Sequence, residues 1–302
     1  MSMLPWSSFR TRLETELESL GERLSSLIGA SAIRNVDPNR DSQDSGMVFL
    51  GFARHGWSPS DPDHERQRMH LLRDYEDWLS RFKPLFATAT PRVEKRIEEA
   101  DGLVRRWLRH DQDDHSVPAT TSAAVDKARD AVSELRALID LACGPADMAP
   151  VVAVTDTNAL IDNSNLASYS TSLGVDSFEV RLVPTVLGEI DELKRGHRSE
   201  QVRAAAQKAD RMMKESRRRG DPLLGIPIEG AIRLRFQARE PVFDPLPGWL
   251  DPRVPDDRLA AAALTVQFEA PNSAVVLVSS DINLQTKAAA LGLPHVEPPA
   301  PS

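Results

Sequence analysis

The sequence predicts two domains of different class: a mostly α-helical half over residues 1–145, then an α/β half with a parallel central sheet over residues 146–302. Three observations lead there. Apolar residues spaced three and four apart fill the first half, which is the period of amphipathic helices. Two unbroken apolar runs, Val151-Val152-Ala153-Val154 and Ala274-Val275-Val276-Leu277-Val278, frame the second half, and such runs read as strands covered on both faces. Between the halves lies Gly144-Pro145-Ala146-Asp147-Met148-Ala149-Pro150, a connector rich in helix breakers.

In the first half, Phe9, Leu13, Leu17, Leu20, Leu24, Leu27 and Ile28 mark one helix. A loop-like stretch from Gly29 to Pro62 follows, holding the apolar island 47–52, which reads as a short strand or a packed loop. Three further helices carry Met69 to Phe82, Val93 to Trp107 and Val125 to Ala142. The outline is a small helical bundle suited to dimerisation, partner docking or substrate guidance. Trp78 and Trp107 fall at helical spacing and read as core. His64, His70, His110 and His115 lack metal spacing and read as exposed.

In the second half, Ala159 to Leu173 reads as a weak helix and Phe178 to Val183 as a strand. Pro184 opens a helix through Lys194, since proline suits a first helical turn. Leu223 to Gln237 is strand material, and 240–255 a proline-rich excursion with Trp249. Helices follow from Leu259 and Ile282, the last stopping at Gly292, with a tail from Pro294 expected to fray.

Totals narrow the function classes. The formal net charge is −8, with 20 basic and 25 acidic residues in 1–150 and 17 and 20 in 151–302, so a polyanion would have to be met by a local patch. One cysteine, Cys143, excludes an intrachain disulfide and a cysteine-based zinc site. No run approaches the ~18 apolar residues of a membrane span and no signal-peptide pattern is present, so the reading is a cytoplasmic protein without a membrane role. Neither a glycine-rich phosphate loop nor a G-x-S-x-G motif occurs.

The local basic patch is Lys194, Arg195, His197, Arg198, Arg203, Lys208, Arg211, Lys214 and Arg217 to Arg219. It reads either as a solvated helix paired with Glu200, Asp210 and Glu215 or as a surface that tracks phosphates.

Asp156, Asp257 and Asp281 each stand at a helix start, where aspartate is a favoured N-cap. Taken together they say more. Asp156 and Asp281 follow buried strands, Asp257 opens the helix before the second of these strands, and Glu189 sits on a helix that itself follows a strand. Parallel strands would bring all four to the carboxyl edge of the sheet, where α/β ligands gather. Clustered carboxylates repel unless a cation neutralises them, and hard Mg²⁺ or Mn²⁺ prefers such oxygen donors.

Asp156-Thr157-Asn158 after a strand, Pro184 to Lys194 around Glu189, Asp256-Asp257-Arg258-Leu259, and Ser279-Ser280-Asp281 followed by Lys287-Ala288 and Gly292 resemble the PIN-domain nucleases. The resemblance spans about 151–297 and leaves the helical half unmatched. It implies a Rossmann-like three-layer α/β/α fold and a Mg²⁺- or Mn²⁺-dependent endoribonuclease. Asp156, Glu189, Asp257 and Asp281 would be the metal-binding catalytic acids, with Asn158, Ser279 and Asp256 supporting. Lys194, Arg195, Arg198, Arg203, Lys208 and Arg211 are expected along the RNA backbone, and single-stranded or loop RNA is the expected substrate. The N-terminal helices are the expected site of a homo-oligomer or protein partner. The rival readings are a catalytically silent PIN-like scaffold, a flap-type DNA nuclease and a toxin with a protein antitoxin.

Overall fold

A computed structural model describes residues 6–36, 54–111, 114–144 and 149–300. Two compact units divide at Gly144/Pro145, with residues 6–12 grouping with the C-terminal unit, so that the division also falls within the first helix.

In the N-terminal unit, α1 (Phe9–Gly29), α2 (Pro62–Phe82), α3 (Pro91–Arg109) and α4 (Thr121–Cys143) are the four periodic segments. Asp61 starts α2 by accepting from the amides of Asp63 and His64, and Pro62 pre-sets its first turn. The buried stripes meet in one core: Leu13 and Leu17 of α1, Trp78 and Phe82 of α2, Val104 and Trp107 of α3, Leu135 and Ile139 of α4. The buried Trp78 indole satisfies its N–H on the Leu13 carbonyl at 3.0 Å. The stretch after Gly29 is more ordered than its composition predicts. β1 (Ile33–Val36) pairs antiparallel with β2 (Arg54–Trp57), while the apolar island 47–52 lies outside the described residues. His110 is half-buried rather than exposed: it caps α3 with φ +52°, in the left-handed region, and stacks on Trp57 at 5.3 Å.

In the C-terminal unit the order is β3 (Val151–Thr155), α5 (Thr157–Asp162), α6 (Tyr169–Leu173), β4 (Ser177–Leu182), α7 (Pro184–Gly196) and α8 (Glu200–Arg217). Then come β5 (Ile226–Glu229), β6 (Ala231–Phe236), α9 (Pro255–Glu269), β7 (Ala274–Val278), α10 (Ile282–Ala290) and β8 (His295–Val296). The sheet order is β5-β6-β4-β3-β7-β8, parallel throughout except for β5. This is the mixed α/β fold expected of a PIN-type α/β/α domain, with β3 and β7 buried at every position.

Local expectations differ in three places. The weak helix breaks into α5, a short 3-10 turn and α6, because the Asn163 and Asn165 side chains accept backbone N–H bonds that a continuous helix would use. The run 223–237 folds into a hairpin turning at Gly230, whose φ of +54° suits glycine. The tail does not fray at Pro294: the Leu277 amide donates to its carbonyl at 2.8 Å, and β8 extends the sheet.

Residues 6–12 complete this unit's core. The Trp6 indole N–H donates to the Leu173 carbonyl at 2.8 Å, the Arg10 amide to Pro271 at 2.9 Å, and the Phe9 ring meets Phe268 at 5.8 Å.

Candidate functional site

From β3 the chain moves to β4 and β6 on one side; it later returns to β7 on the other side of β3. The β3/β7 boundary is therefore the switch point of the sheet, where diverging connections leave a crevice at the carboxyl ends. Thr155 pairs with Val278 in register, so the residues that follow, Asp156 and Ser279, emerge side by side.

Asp156 is buried and tightly held. Its Oδ1 accepts the Ala159 amide at 2.6 Å as the N-cap of α5, and its Oδ2 accepts the Ser279 hydroxyl. The same Ser279 Oγ accepts the Asp281 amide at 3.0 Å, so one hydroxyl ties both strand ends. Burial pushes the Asp156 carboxyl above its usual range; the bonds from Ser279 and Ala159 oppose this, and the charges of Asp281 and Glu189 add to it. Glu189, on α7, accepts the Thr157 hydroxyl. Asp281 caps α10, accepting the Asn283 and Leu284 amides at 2.7 and 3.2 Å.

Asp257 is also buried, but it faces a different neighbour. Lys287 Nζ of α10 lies 2.7 Å from its Oδ1 and 3.5 Å from Asp256 Oδ2. The contact is an ion pair between two largely buried side chains. Oδ2 accepts the Asp251 amide at 2.9 Å. Burial would raise Asp257, but Lys287 and the Asp251 amide outweigh it and hold the carboxyl below its usual range. Burial likewise opposes the charge on Lys287, and its two carboxylate partners overcome that and raise its pKa. Asp256 also accepts the Asn283 side-chain amide at 2.9 Å, which joins the starts of α9 and α10.

Asp281 and Glu189 thus both act on Asp156, while the fourth expected acid, Asp257, is matched to a lysine. Asn158 is solvent-exposed, and the neighbour that contacts an acid is Thr157. That hydroxyl stood inside the sequence triplet, but only the α5–α7 packing gives it a partner. Among the described residues, no group of three or more His, Cys, Asp or Glu side chains is arranged to hold a metal ion as it stands. The chemistry of the donors nevertheless suits Mg²⁺ or Mn²⁺. All are hard oxygens, and burial disfavours Asp156 as an anion, with the charges of Asp281 and Glu189 adding to that.

The basic tract divides. Lys194 is engaged by Asp191 and by Asp210 at 3.0 Å, Arg195 lies 4.0 Å from Asp191, and Arg203 donates to the His197 and Arg198 carbonyls. Lys214 pairs with Asp210 at 2.7 Å. Arg198, Lys208, Arg211 and Arg217 to Arg219 are exposed and, among the described residues, form no ion pair. α8 buries Ala206, Ala209 and Met213 and turns Lys208 and Arg211 outward.

Residues 153–297 match the family model described as PIN domain. No curated protein matches the chain. The matched span begins within β3 and ends just past β8, so it covers all four acids and all of the sheet except Val151 and Val152. The C-terminal half therefore has a PIN-type, nuclease-class fold, and the helical half lies outside the match. Among the described residues no helix is long and apolar enough to cross a membrane.

Proposed function

From this PIN-type fold we propose that the chain is a divalent-metal-dependent ribonuclease hydrolysing RNA phosphodiester bonds. The observation that supports this most is the buried Asp156 at the switch point of the sheet, tied through Ser279 to the strand end that carries Asp281 and followed at once by Thr157, which holds Glu189. A buried carboxylate on which two further carboxylates act costs stability that a bound cation would return.

On this reading Asp156, Glu189 and Asp281 would hold Mg²⁺ or Mn²⁺, with Asp257 and Asp256 beside them. Such an ion, when bound, acidifies a water and stabilises charge on a phosphoryl oxygen. The chain's own residues do the rest. Ser279 fixes one Asp156 oxygen and the Asp281 amide together, which sets the spacing of the two strand ends. Thr157 orients Glu189. Lys287 neutralises the Asp256/Asp257 pair, so less negative charge opposes an incoming phosphate. The exposed Lys208 and Arg211 on α8 offer the strand a cationic surface.

The test is cleavage of RNA and DNA oligonucleotides, single-stranded and flap-containing, in Mn²⁺, Mg²⁺ and EDTA, with Asp156→Asn alongside. Cation-dependent RNA cleavage abolished by Asp156→Asn is the expected result. Cleavage that persists in EDTA or in Asp156→Asn overturns the metal reading. Preference for the DNA flap would replace the substrate, and binding with no cleavage under any condition would leave a silent scaffold.

A further inference from the structure

Three of the exposed large apolar side chains of the C-terminal unit lie close in the chain to the acids, while Leu223, Leu224 and Val242 are exposed elsewhere in the sequence. In the C-terminal unit Trp249, Val254 and Ile282 are 51%, 37% and 78% exposed. Val254 is the N-cap residue of α9, which begins with Asp256 and Asp257 in its first turn; Ile282 opens α10 directly after Asp281. The Asn283–Asp256 hydrogen bond joins those two helix starts. Trp249 belongs to the same place. Two residues after it, the Asp251 amide donates to Asp257 Oδ2 at 2.9 Å, which leaves no more than about 7 Å of chain between the indole's residue and that clasp.

The loop that presents Trp249 is built to hold still. Pro241, Pro245, Pro247, Pro252 and Pro255 restrict its backbone. Leu250 is buried in the core and bonds back to the Pro247 carbonyl at 3.0 Å, and the Val254 amide bonds to Asp251 at 3.0 Å. An indole kept half in water on a loop this constrained loses hydrophobic stabilisation and gains no core packing for it. Arg239 lies at the entry of the loop, exposed and, among the described residues, without an ion pair.

We propose that Trp249, with Val254 and Ile282, is a stacking platform for one unpaired nucleobase of the RNA strand whose phosphate lies at the acid edge. This rests on the nuclease reading and deepens it, because it makes the substrate single-stranded near the cut. A ligand on Trp249 is within reach of the edge that carries Asp257, and a nucleotide offers two suitable surfaces: a flat apolar face for the indole and an anion for the exposed Arg239 at the loop entry. A base inside a duplex has both faces covered and cannot be received, so the platform discriminates against paired RNA. Stacking on an indole is indifferent to base identity, since each base has a π-face.

Trp249 also supplies its own signal. Of the five tryptophans, Trp57, Trp78 and Trp107 are buried and Trp6 is half-buried. Intrinsic fluorescence of the full chain is titrated with single-stranded oligoadenylate and with the same strand in a duplex, in EDTA and again in Ca²⁺. The expected result is saturable quenching by the single strand, little by the duplex, and none in Trp249→Ala. Trp249→Ala should also bind the single strand about 5- to 100-fold more weakly, with Trp249→Phe in between. Circular dichroism verifies that each variant is folded, which the exposure of the side chain predicts. Absence of quenching in both buffers, equal quenching in Trp249→Ala, or unchanged affinity overturns the proposal and gives the patch to a protein partner. Cleavage independent of Trp249 would leave the nuclease reading standing without the platform. Quenching without cleavage would do the reverse.

Discussion

Arg181→Met would cut the C-terminal unit at its most buried charge. Arg181 on β4 is buried, with Nε 2.9 Å from Glu179 Oε1 and Nη1 3.3 Å from Glu269 Oε2. Glu179 is buried too, two residues back on the same face, whereas Glu269 lies nearly half exposed at the end of α9 and has Gln237 as a second donor at 2.9 Å. Loss of the guanidinium therefore strands one carboxylate, not two. Removing one partner of a buried ion pair costs ~3–5 kcal/mol, against a total of ~5–15 kcal/mol for a domain. At roughly 2–4 °C per kcal/mol for a unit of this size, the melting midpoint should drop by about 10 °C. Glu179→Leu combined with Arg181→Met removes the orphan as well, and should recover most of the loss. Thermal and urea unfolding of both singles and the double measure this. An Arg181→Met variant within about 1 kcal/mol of the parent, or a double no better than the single, would refute the argument that Arg181 is what keeps the buried Glu179 on β4 satisfied.

Other expectations are more local. Asp156 has a raised folded pKa, so its ionised form destabilises the fold and stability is gained as pH falls through that value; Asp156→Asn should melt higher than the parent at pH 7 while losing cleavage. His110 is lowered to about 4, chiefly by burial and then by Arg68. The unfolded chain therefore takes up a proton that the folded unit refuses, and stability should decline from about pH 6.5 towards 4. His110→Asn, which tolerates the left-handed backbone, should flatten that decline in unfolding titrations of the full chain. Replacing Lys208 and Arg211 by glutamine should weaken RNA binding across sequences and lower the salt slope by roughly one for each phosphate the protein ceases to neutralise, whereas an unchanged slope would make α8 an ordinary solvated face. Deleting residues 1–12 should lower the melting midpoint of the C-terminal unit, because Phe9 and the Trp6 hydrogen bond leave with them; an unaltered midpoint would show both to be dispensable.

What the sequence made legible was whatever one element announces by itself. Val151–Val154 and Ala274–Val278 are short apolar runs that could be little else than buried strands, and an aspartate soon after each points at the edge of a parallel sheet. Four helices of the first half were visible because their apolar residues keep the helical period without interruption. Pairings between distant elements were not legible. That Thr157 would hold Glu189, that Lys287 would answer Asp257, and that Ser279 would bridge Asp156 and Asp281 all depend on which strands become neighbours. Composition also misled in particular stretches. Proline after Gly292 suggested a loose tail, yet a Pro294 carbonyl is a full acceptor and β8 needed only two more residues to pair. The histidines lacked metal spacing, which says nothing about packing, and His110 found Trp57.

The bond from Ser279 to Asp156 spans 123 positions of chain. β3, β4 and β6 can find one another through consecutive crossovers, but β7 must insert beside β3 after everything between them has been laid down. Closing so distant a pairing is slow compared with local pairing. A chain arrested before that step would already own Asp156 and Glu189 while Ser279 and Asp281 were still elsewhere. Half-folded molecules would lack half of the acid set, and on the proposed reading they could cut no strand until β7 had joined β3.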